Sequence, residues 1–477
     1  DNGRRLTRMR DASVNTPKYR LIDTSLDMPG LFAAFLDLPH PVLLDSPQSG
    51  NTPARYSYLA ADPFMVVRSK GQRVWVEEDS VIEGSPFDIL RDLLGRYRID
   101  PVPGLPPFQG GAIGYLAYEL AHHLESLPRA AEDSLNLPEL NIAFYDWVVA
   151  HDGITGKTWA IATGLPDGDE AGARDRLNWI EERLGQPIPA ASTSEPAVGA
   201  SRVTSNFTKD AYLRAVRTVK DYIAAGDVYQ VNISQRFEAG ITGDPWELYR
   251  RLRHVNPSPF SAYLGFPEVS VLSASPEEFL NLEDGLLRTR PMKGTRPRGV
   301  SASEDRKVAS ELLASEKDRA ENVMIVDLMR NDLGRVCVPG SIAVPELFAI
   351  EEYPTVYQMV STVTGQTRVG VGPVEVLEAC FPGGSVTGAP KIRAMEIIDE
   401  IESVQRSVYC GAIGYIGFDG SMLMSVPIRN ILVTGDRAYI QVGGGIVADS
   451  DPDAEYRESL DKAAGSLMAL DAEIPKA

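Results

Sequence analysis

Short runs of alternating or continuous apolar residues, set apart by glycine and proline, dominate the first third of this chain. Strand side chains point alternately to two faces, so an alternating run predicts a half-buried strand and a short continuous run a fully buried one. Glycine and proline between the runs favour turns. The runs lie at residues 55–61, 64–69, 73–78, 111–120, 142–150 and 158–164. This part of the chain therefore predicts a mostly antiparallel sheet.

The rest of the chain mixes helical and strand patterns. Single hydrophobic cores stop growing at about 250–300 residues, so a chain of 477 residues predicts two domains or one large composite fold. Composition places the boundaries. We predict a polar, disordered tail over 1–20, an N-terminal β-rich domain over 21–184, a linker rich in Ala, Ser and Pro over 185–206, and a C-terminal domain over 207–477.

Patterns after the linker predict specific elements. A helix is expected from the N-cap Thr208 to the C-cap Gly226, and a longer one over residues 310–334. The strand "VYQVNISQRF" has an apolar face that includes Tyr229 and a polar face of Gln, Asn and Ser, which faces solvent or else lines a site. The pentapeptide "GAIGY" occurs twice, at residues 111–115 and 411–415, and hints at two halves built from related sheets.

Composition argues against several classes of function. The net charge of -19 argues against a nucleic-acid partner, and no apolar run is long enough to predict a membrane span. The three cysteines lack CxxC spacing and the five histidines lack HExxH spacing, which argues against a disulfide framework or a zinc site and suits a reducing cytoplasm. We expect a small anionic partner bound in a local basic pocket.

The loop "RPMKGTRPRG", residues 290–299, concentrates positive charge in this acidic chain. Arginine stays protonated, whereas lysine loses its proton when it is desolvated or crowded by other cations. The loop supplies three such cations, Arg290, Arg296 and Arg298. Lys293 is therefore a candidate nucleophile or proton carrier, with a plain surface lysine as the alternative.

Two pairs of acids recur at a spacing of three residues, Asp318 with Glu321 and Glu455 with Glu458. Residues three apart share a helix face, so facing pairs would form a carboxylate cage suited to Mg²⁺. Ordinary solvent-facing charge is the alternative. Glu321 precedes the apolar segment "NVMIVDLMRND", which favours the cage. Lys462 follows Glu458 at i+4, either near the cage or in a simple surface ion pair.

Other features could contact an anion or move a proton. Backbone N–H groups are available at residues 381–391, "FPGGSVTGAPK", and at residues 443–445, although either stretch could be a plain turn. Arg429, in a predicted strand of apolar neighbours, requires a carboxylate partner from a ligand or from the chain itself. Glu277 is a candidate general acid or base, or else a turn acid after a proline.

Eight ordered stretches resemble the chorismate-utilising enzymes and cover nearly everything from about residue 206 onward. They are "NPSPFSAYLG", "LSASPEEFL", "RPMKGTRPRG", "AENVMIVDLMRNDLGRV", "FPGGSVTGAPKIRAMEIID", "YCGAIGYIGFDG", "PIRN" and "GGGIVADSDPDAEYRESLDKA". The first half matches only through "LLDS" and "GGAIGYLAYE". The resemblance implies an α+β fold, a two-domain α/β sandwich with large, mostly antiparallel sheets flanked by helices and the active site in the second half.

The resemblance also implies chorismate as the substrate and Mg²⁺ as the cofactor. Glu321 and Glu458 would hold the metal, with Asp318 and Glu455 behind them, and the metal would bind the ring carboxylate. Glu277 would help the C4 hydroxyl group to leave. The residues that would contact the substrate are Arg429, Tyr409, Gly443, Gly445, Lys462, Thr295 and Ser385.

Position 293 separates branches of this family. Anthranilate-forming members resemble "PIAGTRPRG", whereas members that aminate chorismate at C4 resemble "PIKGTRPRG". Lys293 therefore implies the second branch, in which the lysine attacks C2 before ammonia adds at C4; an anthranilate synthase or a catalytically silent binding subunit are the alternatives. Gln230 stands where isochorismate- and salicylate-forming members carry lysine, and Gln358 stands where many relatives carry histidine.

The resemblance further implies a partner and a second pocket. No cysteine lies in the G-x-C-x-G context of a glutaminase, so ammonia is expected from a separate glutamine amidotransferase subunit. Two segments match a tryptophan pocket of relatives, or else form a plain strand and turn, with Asp45 where feedback sites often have glutamate. The pocket residues would be Ser46, Asn256, Pro257 and Pro259.

Overall fold

The structure, a computed structural model, describes residues 15–47, 54–77, 80–186, 199–200, 202–353 and 356–473. The predicted tail over residues 1–14 and most of the predicted linker, residues 187–198, lie outside this part of the chain. Within it both predictions need correction. Lys18–Ile22 is a strand rather than part of a tail, and Gly199–Ala200 and Thr204–Ser205 of the linker pair with a long strand.

Twenty-five strands and ten α-helices lie within the described residues. The strands before the linker are Lys18–Ile22 (β1), Val42–Asp45 (β2), Tyr56–Ala60 (β3), Met65–Lys70 (β4), Arg73–Val76 (β5), Ser80–Glu83 (β6), Gly111–Leu116 (β7), Leu140–Tyr145 (β8), Trp147–Asp152 (β9) and Lys157–Ala162 (β10). Those that follow are Gly199–Ala200 (β11), Thr204–Ser205 (β12), Gln230–Thr242 (β13), Phe260–Gly265 (β14), Ser270–Ser275 (β15), Glu278–Glu283 (β16), Leu286–Thr289 (β17), Met292–Pro297 (β18), Ala343–Glu352 (β19), Val356–Gln366 (β20), Gly388–Ala389 (β21), Ala412–Gly417 (β22), Met422–Ser425 (β23), Asn430–Thr434 (β24) and Arg437–Ile446 (β25). The helices are Met28–Phe32 (α1), Pro86–Leu94 (α2), Glu170–Leu184 (α3), Lys209–Ala225 (α4), Pro245–Val255 (α5), Ala302–Ala314 (α6), Glu316–Gly334 (α7), Pro373–Cys380 (α8), Lys391–Ile401 (α9) and Pro452–Ala469 (α10).

Two antiparallel sheets take strands from both halves of the chain. The first has thirteen strands among the described residues, in the order β1-β10-β9-β3-β2-β14-β15-β24-β25-β13-β11, with β12 and β21 also pairing with β13. The second has twelve in that same part of the chain, in the order β18-β20-β17-β16-β23-β22-β7-β8-β4-β5-β6, with β19 on β20. The boundary predicted at residues 185–206 therefore divides the chain but not the sheets. The predicted class, large antiparallel sheets flanked by helices, is confirmed.

The sheets stack as the two inner layers of a sandwich. An apolar cluster between them takes side chains from both, among them Val42, Ile113 and Tyr145, none of which is exposed. Helices α3, α4, α5 and α10 pack on the first sheet, and α2, α7 and α8 pack on the second. Each fully buried aliphatic or aromatic side chain contributes about 1.5–3 kcal/mol. Within the described residues, none of the helices combines the length and the apolar character that a membrane crossing demands.

The repeated pentapeptide lies at the centre of the second sheet. Strands β7 and β22 are antiparallel neighbours, and Gly114 lies directly opposite Gly414. A Cβ atom at Gly114 would lie 2.1 Å from the carbonyl oxygen of Asn141, and one at Gly414 would lie 1.9 Å from that of Leu423, so neither position has room for a side chain. The repeat therefore marks two paired strands of one sheet and not two separate sheets.

Local signals explain where the helices begin and end. Thr208 caps α4, and Gly226 ends it with a left-handed backbone at φ 86°, both as predicted. The helix predicted over residues 310–334 is broken at Ser315, whose backbone is extended. The Ser315 side chain accepts a hydrogen bond from the backbone N–H of Asp318 and caps α7. Serine favours this capping geometry over a helix interior, which explains the break.

Candidate active site

Several of the predicted site residues lie where the end of the second sheet approaches the first. Lys293 lies on β18, the end strand of the second sheet, and Asn232 lies on β13 of the first. Ser385, in the helical turn Gly384–Val386, links them. Its carbonyl oxygen accepts hydrogen bonds from Lys293 Nζ at 3.4 Å and from Asn232 Nδ2 at 2.8 Å. The loop with the lysine is thus connected to both sheets.

The three arginines of the loop are neutralised by acids from other elements. The pairs are Arg290 with Glu351, Arg296 with Asp318 and Arg298 with Asp305. Across the described residues, Lys293 is the one cation of this loop without a carboxylate within 4.0 Å, and its amine meets a carbonyl group instead. The expectation that the arginines crowd Lys293 is therefore wrong. Lys293 stands apart because it is unpaired.

The surroundings of Lys293 favour its uncharged amine. The side chain is half-buried, and desolvation is the main cause that lowers its pKa. The charge of Lys462 acts in the same direction, whereas Glu321, Glu277 and Glu458 oppose it. A lysine with a lowered pKa offers a free electron pair at a pH where an ordinary lysine is protonated. Lys293 thus differs from a plain surface lysine in its burial and in the direction of its pKa shift.

Glu277 is a buried acid in the short crossing from β15 to β16, that is, from the first sheet to the second. Only 4% of it is exposed, and burial raises its pKa to about 7, although a hydrogen bond with the Ser385 side chain and the charge of Lys293 oppose the shift. A carboxyl group with this pKa holds or releases a proton near neutral pH. Glu277 is thus a candidate general acid beside Lys293 and not a surface turn acid.

Carboxylates from α7 and α10 influence each other's ionisation. Burial raises the pKa of Glu321, and the negative charges of Asp318 and Glu458 raise it further. Burial also opposes ionisation of Glu458, but the neighbouring lysines, Lys462 first among them, lower its pKa overall. The two acids therefore share one electrostatic environment, although they lie on helices far apart in sequence.

Strand β25 brings bare backbone against α10. A Cβ atom at Gly444 would lie 3.3 Å from Glu455 Oε2, 3.6 Å from Lys462 Nζ and 3.8 Å from Glu458 Oε1. Gly444, which belongs to the predicted backbone stretch 443–445 but not to the predicted substrate contacts, thus faces the acidic side chains. Glycine here leaves space for a small ligand beside the acids.

The two predicted glycines flank that position and have different surroundings. The carbonyl oxygen of Gly443 accepts a hydrogen bond from Lys462 Nζ at 2.9 Å, and Lys462 also pairs with Glu458 at 2.8 Å. A Cβ atom at Gly445 would lie 2.6 Å from Gln230 Nε2, so a side chain there would have to displace the Gln230 amide. Lys462 therefore ties α10 to β25 rather than standing free for a substrate.

The acids fit Mg²⁺ only in part. Within the described residues, no group of three or more acidic, histidine or cysteine side chains is close enough together to form a cation site. Asp318 is bound by Arg296 at 2.6 Å, and Glu455 accepts a hydrogen bond from Ser450 Oγ at 2.7 Å. Mg²⁺ typically binds through about one or two carboxylates and retains several waters. Two carboxylates, those of Glu321 and Glu458, are therefore enough to bind Mg²⁺ without a third acid. The metal itself stays a prediction.

Arg429 and Tyr409 lie at turns that lead into strands. Arg429 precedes β24 with a left-handed backbone at φ 58°, and not inside a strand as predicted. Burial lowers its pKa, and within the described residues no carboxylate forms the internal ion pair that was the alternative. A desolvated guanidinium group without a carboxylate partner is suited to bind a carboxylate of a ligand. Tyr409 is buried ahead of β22, and burial raises its pKa well above the usual range.

Two glutamine side chains keep an amide oxygen that has no hydrogen-bond partner among the described residues, Gln230 and Gln358. Gln230 Nε2 donates to Asn232 Oδ1 at 3.2 Å on the polar face of β13. That face is buried and lines the site, so the expectation that it is solvated is wrong. The prediction that Tyr229 belongs to the apolar face of this strand is also wrong, because Tyr229 precedes β13 and is 72% exposed. Gln358 lies opposite Thr295, an exposed residue of β18.

The predicted tryptophan pocket corresponds in part to a cavity between the sheets. Ser46 and Pro259 line it, but Asn256 and Pro257 do not. Its volume is about 40 Å³, which is room for two or three waters. Indole would enter only after the walls move apart. Tryptophan binding stays a prediction that titration calorimetry with tryptophan can test.

Sequence reasoning missed a buried ion pair beneath the site. Arg406 and Glu402 are each 2% exposed at the side chain and pair at 2.7 Å. Their i, i+4 spacing in "IESVQRSVY" resembles an ordinary surface pair, and only the apolar helix before it indicates burial. Glu119, from the first half, is also buried close by, and burial raises its pKa to about 7.

Comparisons with known proteins agree with this arrangement. The family model described as chorismate binding enzyme matches residues 40–468. The chain is 42% identical over 444 residues to aminodeoxychorismate synthase component 1 of Salmonella typhimurium, covering 92% of this chain and 95% of that protein. It is 39% identical over 454 residues to anthranilate synthase component 1 of Acetivibrio thermocellus, covering 92% of each.

Solved structures share the fold. Anthranilate synthase component I of Streptococcus pneumoniae superposes with a TM-score of 0.79 at 32% identity, covering 87% of this chain and 93% of that one. The menaquinone-specific isochorismate synthase of Escherichia coli superposes with a TM-score of 0.71 at 18% identity, covering 96% and 95%. With the family match over most of its length and with these relatives, the chain belongs to the chorismate binding enzyme family.

Proposed function

We propose that this chain is the large subunit of an aminodeoxychorismate synthase. It would convert chorismate and ammonia to 4-amino-4-deoxychorismate, which serves the cytoplasmic synthesis of 4-aminobenzoate and folate. The observation that carries the proposal is the unpaired amine of Lys293, with its lowered pKa, next to the buried acid Glu277. The identity with aminodeoxychorismate synthases supports it, although anthranilate synthases are nearly as similar.

In the first proposed step, Lys293 Nζ forms a bond to C2 of chorismate. The double bonds of the ring shift, and the C4 hydroxyl group leaves with a proton from Glu277 as water. The raised pKa of Glu277, about 7, keeps that proton available near neutral pH. A covalent step of this kind replaces one difficult displacement by two easier ones.

In the second step, ammonia adds at C4 and the bond from C2 to Lys293 breaks. The ring double bonds return to their places, the lysine regains its electron pair, and the added ammonia loses a proton to give the amine. The lysine is therefore unchanged after a turnover. Glu277, which is ionised after the first step, can accept the proton.

Binding of the substrate anion would use the groups that lack internal partners. Arg429 and Tyr409 would hold the carboxylate of the enolpyruvyl group, since Arg429 has no carboxylate of its own among the described residues. Glu321 and Glu458 would hold Mg²⁺, which when bound neutralises the ring carboxylate of the substrate. Ammonia would come from a glutamine amidotransferase partner. The name of the aminodeoxychorismate synthase relative, component 1, supports a second component.

A product assay tests the proposal. The chain is incubated with chorismate, Mg²⁺ and ammonium chloride at alkaline pH, with and without an added aminodeoxychorismate lyase. Formation of 4-aminobenzoate only when the lyase is present supports the proposal. Fluorescent anthranilate would instead identify an anthranilate synthase, and unchanged chorismate a silent subunit. The matched control is Lys307→Ala, because Lys307 is an exposed lysine on α6 that pairs only with Glu311.

A further inference from the structure

Arg406 is a buried cation that joins three elements beneath the candidate active site. Its Nε and Nη2 atoms donate to the two carboxylate oxygens of Glu402, at the end of α9, at 2.9 and 2.7 Å. Nη1 donates to the carbonyl oxygen of Val386 at 3.0 Å, and Nη2 to that of Asn232 at 2.9 Å. One guanidinium group thus holds α9, the turn Gly384–Val386 and β13 at fixed distances.

This network leads directly to the reactive lysine. Asn232 donates through Nδ2 to the carbonyl oxygen of Ser385, which also accepts the hydrogen bond from Lys293 Nζ. Val386, whose carbonyl oxygen Arg406 binds, is the next residue after Ser385. Arg406 therefore contacts both residues that hold the Ser385 carbonyl group in place: Asn232, its hydrogen-bond donor, and Val386, the next residue in the chain.

The backbone of Arg406 leads to the second part of the site. The backbone N–H of Tyr409 donates to the carbonyl oxygen of Arg406 at 3.1 Å. Glu119 Oε1 accepts hydrogen bonds from the backbone N–H groups of Arg406 and Ser407, at 2.8 and 3.2 Å. The guanidinium group also lies 4.8 Å from the ring centre of Tyr118. Residues of the first half thus fix the turn that presents Tyr409.

We infer that Arg406, with Glu402 as its carboxylate partner, is a positioning residue that holds both the acceptor of Lys293 and the turn that carries Tyr409. Buried ion pairs contribute little net stability compared with apolar packing, so geometry is the better reason for this pair. The role rests on the proposed function of Lys293. Lysine at position 406 would keep the charge but lack the planar, five-donor fork that reaches four acceptor oxygens on three residues.

The variant Arg406→Lys tests the inference through two readouts. The first is the pH midpoint for acetylation of Lys293, measured by peptide mass spectrometry, which requires no turnover. It is expected to rise, because a displaced lysine is better solvated. The second is ammonia-dependent turnover, in which kcat falls and KM for chorismate rises, with kcat/KM reduced about tenfold or more.

Two further variants keep the result decisive. Arg176→Lys is the matched control, since Arg176 is likewise bound by carboxylates, those of Asp146 and Asp62, but lies on α3 in the first half. It should lower the melting temperature and leave both readouts unchanged. Asn232→Ala keeps the ion pair and removes the hydrogen bonds that the Asn232 side chain makes with Ser385 and Gln230, so it should shift both readouts less, in the same direction.

If Arg406→Lys loses only stability, as the control does, the inference fails. It also fails if Asn232→Ala has the acetylation midpoint and the kcat/KM of the original chain, which decides the case should Arg406→Lys not fold. If the original chain converts no chorismate, the proposed function fails, while the acetylation midpoints still show whether Arg406 positions Lys293.

Discussion

The candidate active site and the cavity between the sheets differ in how their charges are matched. In the site, Lys293 and Arg429 have no carboxylate partner among the described residues, and Glu277 is a buried acid with a pKa of about 7. In the cavity, the buried acid Asp45 is bound by Arg253, and Ser46 Oγ donates to backbone carbonyl groups. Unmatched charge therefore marks the region prepared for a charged substrate.

The contrast has an energetic basis. A buried charge without a partner costs several kcal/mol, and the fold tolerates it only where another requirement outweighs stability. The cavity meets its polar requirements internally, so its lining is expected to serve packing. Substitutions in the site should therefore lower activity without lowering stability, and substitutions in the cavity should lower stability without lowering activity.

The largest expected effect is that of Lys293→Ala. Turnover of chorismate with ammonia should fall by about 10³-fold or more, because the nucleophile is lost, while chorismate binding by calorimetry changes little. Lys307→Ala should keep full turnover. Normal turnover of Lys293→Ala would remove the lysine from the chemistry and with it the contrast between the two regions.

Glu277→Gln should reduce turnover by about 10²- to 10⁴-fold, the usual range for a lost general acid, and should stabilise the fold. The folded-state pKa of Glu277 is raised from 4.5 to about 7, so the fold loses stability as pH rises through this window and carries the full penalty above it. The variant should gain about 3 kcal/mol in free energy of unfolding at about pH 8, and almost nothing near pH 4.5.

Denaturant unfolding at both pH values measures this gain. Equal stability of Glu277→Gln and the original chain at the higher pH would mean that the carboxyl group titrates normally. The site would then lack the buried acid with a raised pKa that distinguishes it from the cavity.

Glu458→Gln should weaken Mg²⁺ binding about tenfold or more, since one of two carboxylate ligands is lost. Calorimetric titration of the chain with Mg²⁺, without substrate, measures this directly. Asp461→Asn is the matched control, because Asp461 is an exposed acid on the same helix. Equal Mg²⁺ affinities of Glu458→Gln and Asp461→Asn would show that Glu458 is not a ligand of the metal.

The smallest effect on activity is expected in the cavity. Ser46→Ala removes the hydroxyl group that donates to the carbonyl oxygens of Tyr56 and Pro259 at 3.0 and 2.9 Å. The free energy of unfolding should fall by about 1–2 kcal/mol, with turnover within about twofold of the original. A large loss of turnover with unchanged stability would show that this cavity takes part in catalysis.

The sequence was informative where chemistry depends on residue type and local spacing. The strands, the caps of α4 and the set of Lys293, Glu277, Glu321 and Glu458 follow from patterns within single segments. Pairing across the fold does not follow. Arg290, for example, is neutralised by Glu351, which β19 brings beside it, and no local pattern carries that information.

Backbone register and inter-sheet contacts were also beyond reach. Gly444, and not its two neighbours, faces the acids because β25 alternates its faces along the strand. Glu119 supports a turn of the second half from the first, across the boundary that composition suggested. The break at Ser315 was within reach, since a serine followed three residues later by Asp318 is a typical helix start.

The most direct measurement is mass spectrometry of the chain quenched after mixing with chorismate and Mg²⁺ in the absence of ammonia. The proposed mechanism predicts an adduct on the peptide that contains Lys293, with the added mass of chorismate less one water, and its loss when ammonia is supplied. Formation of product with no adduct at any time on Lys293 would contradict it.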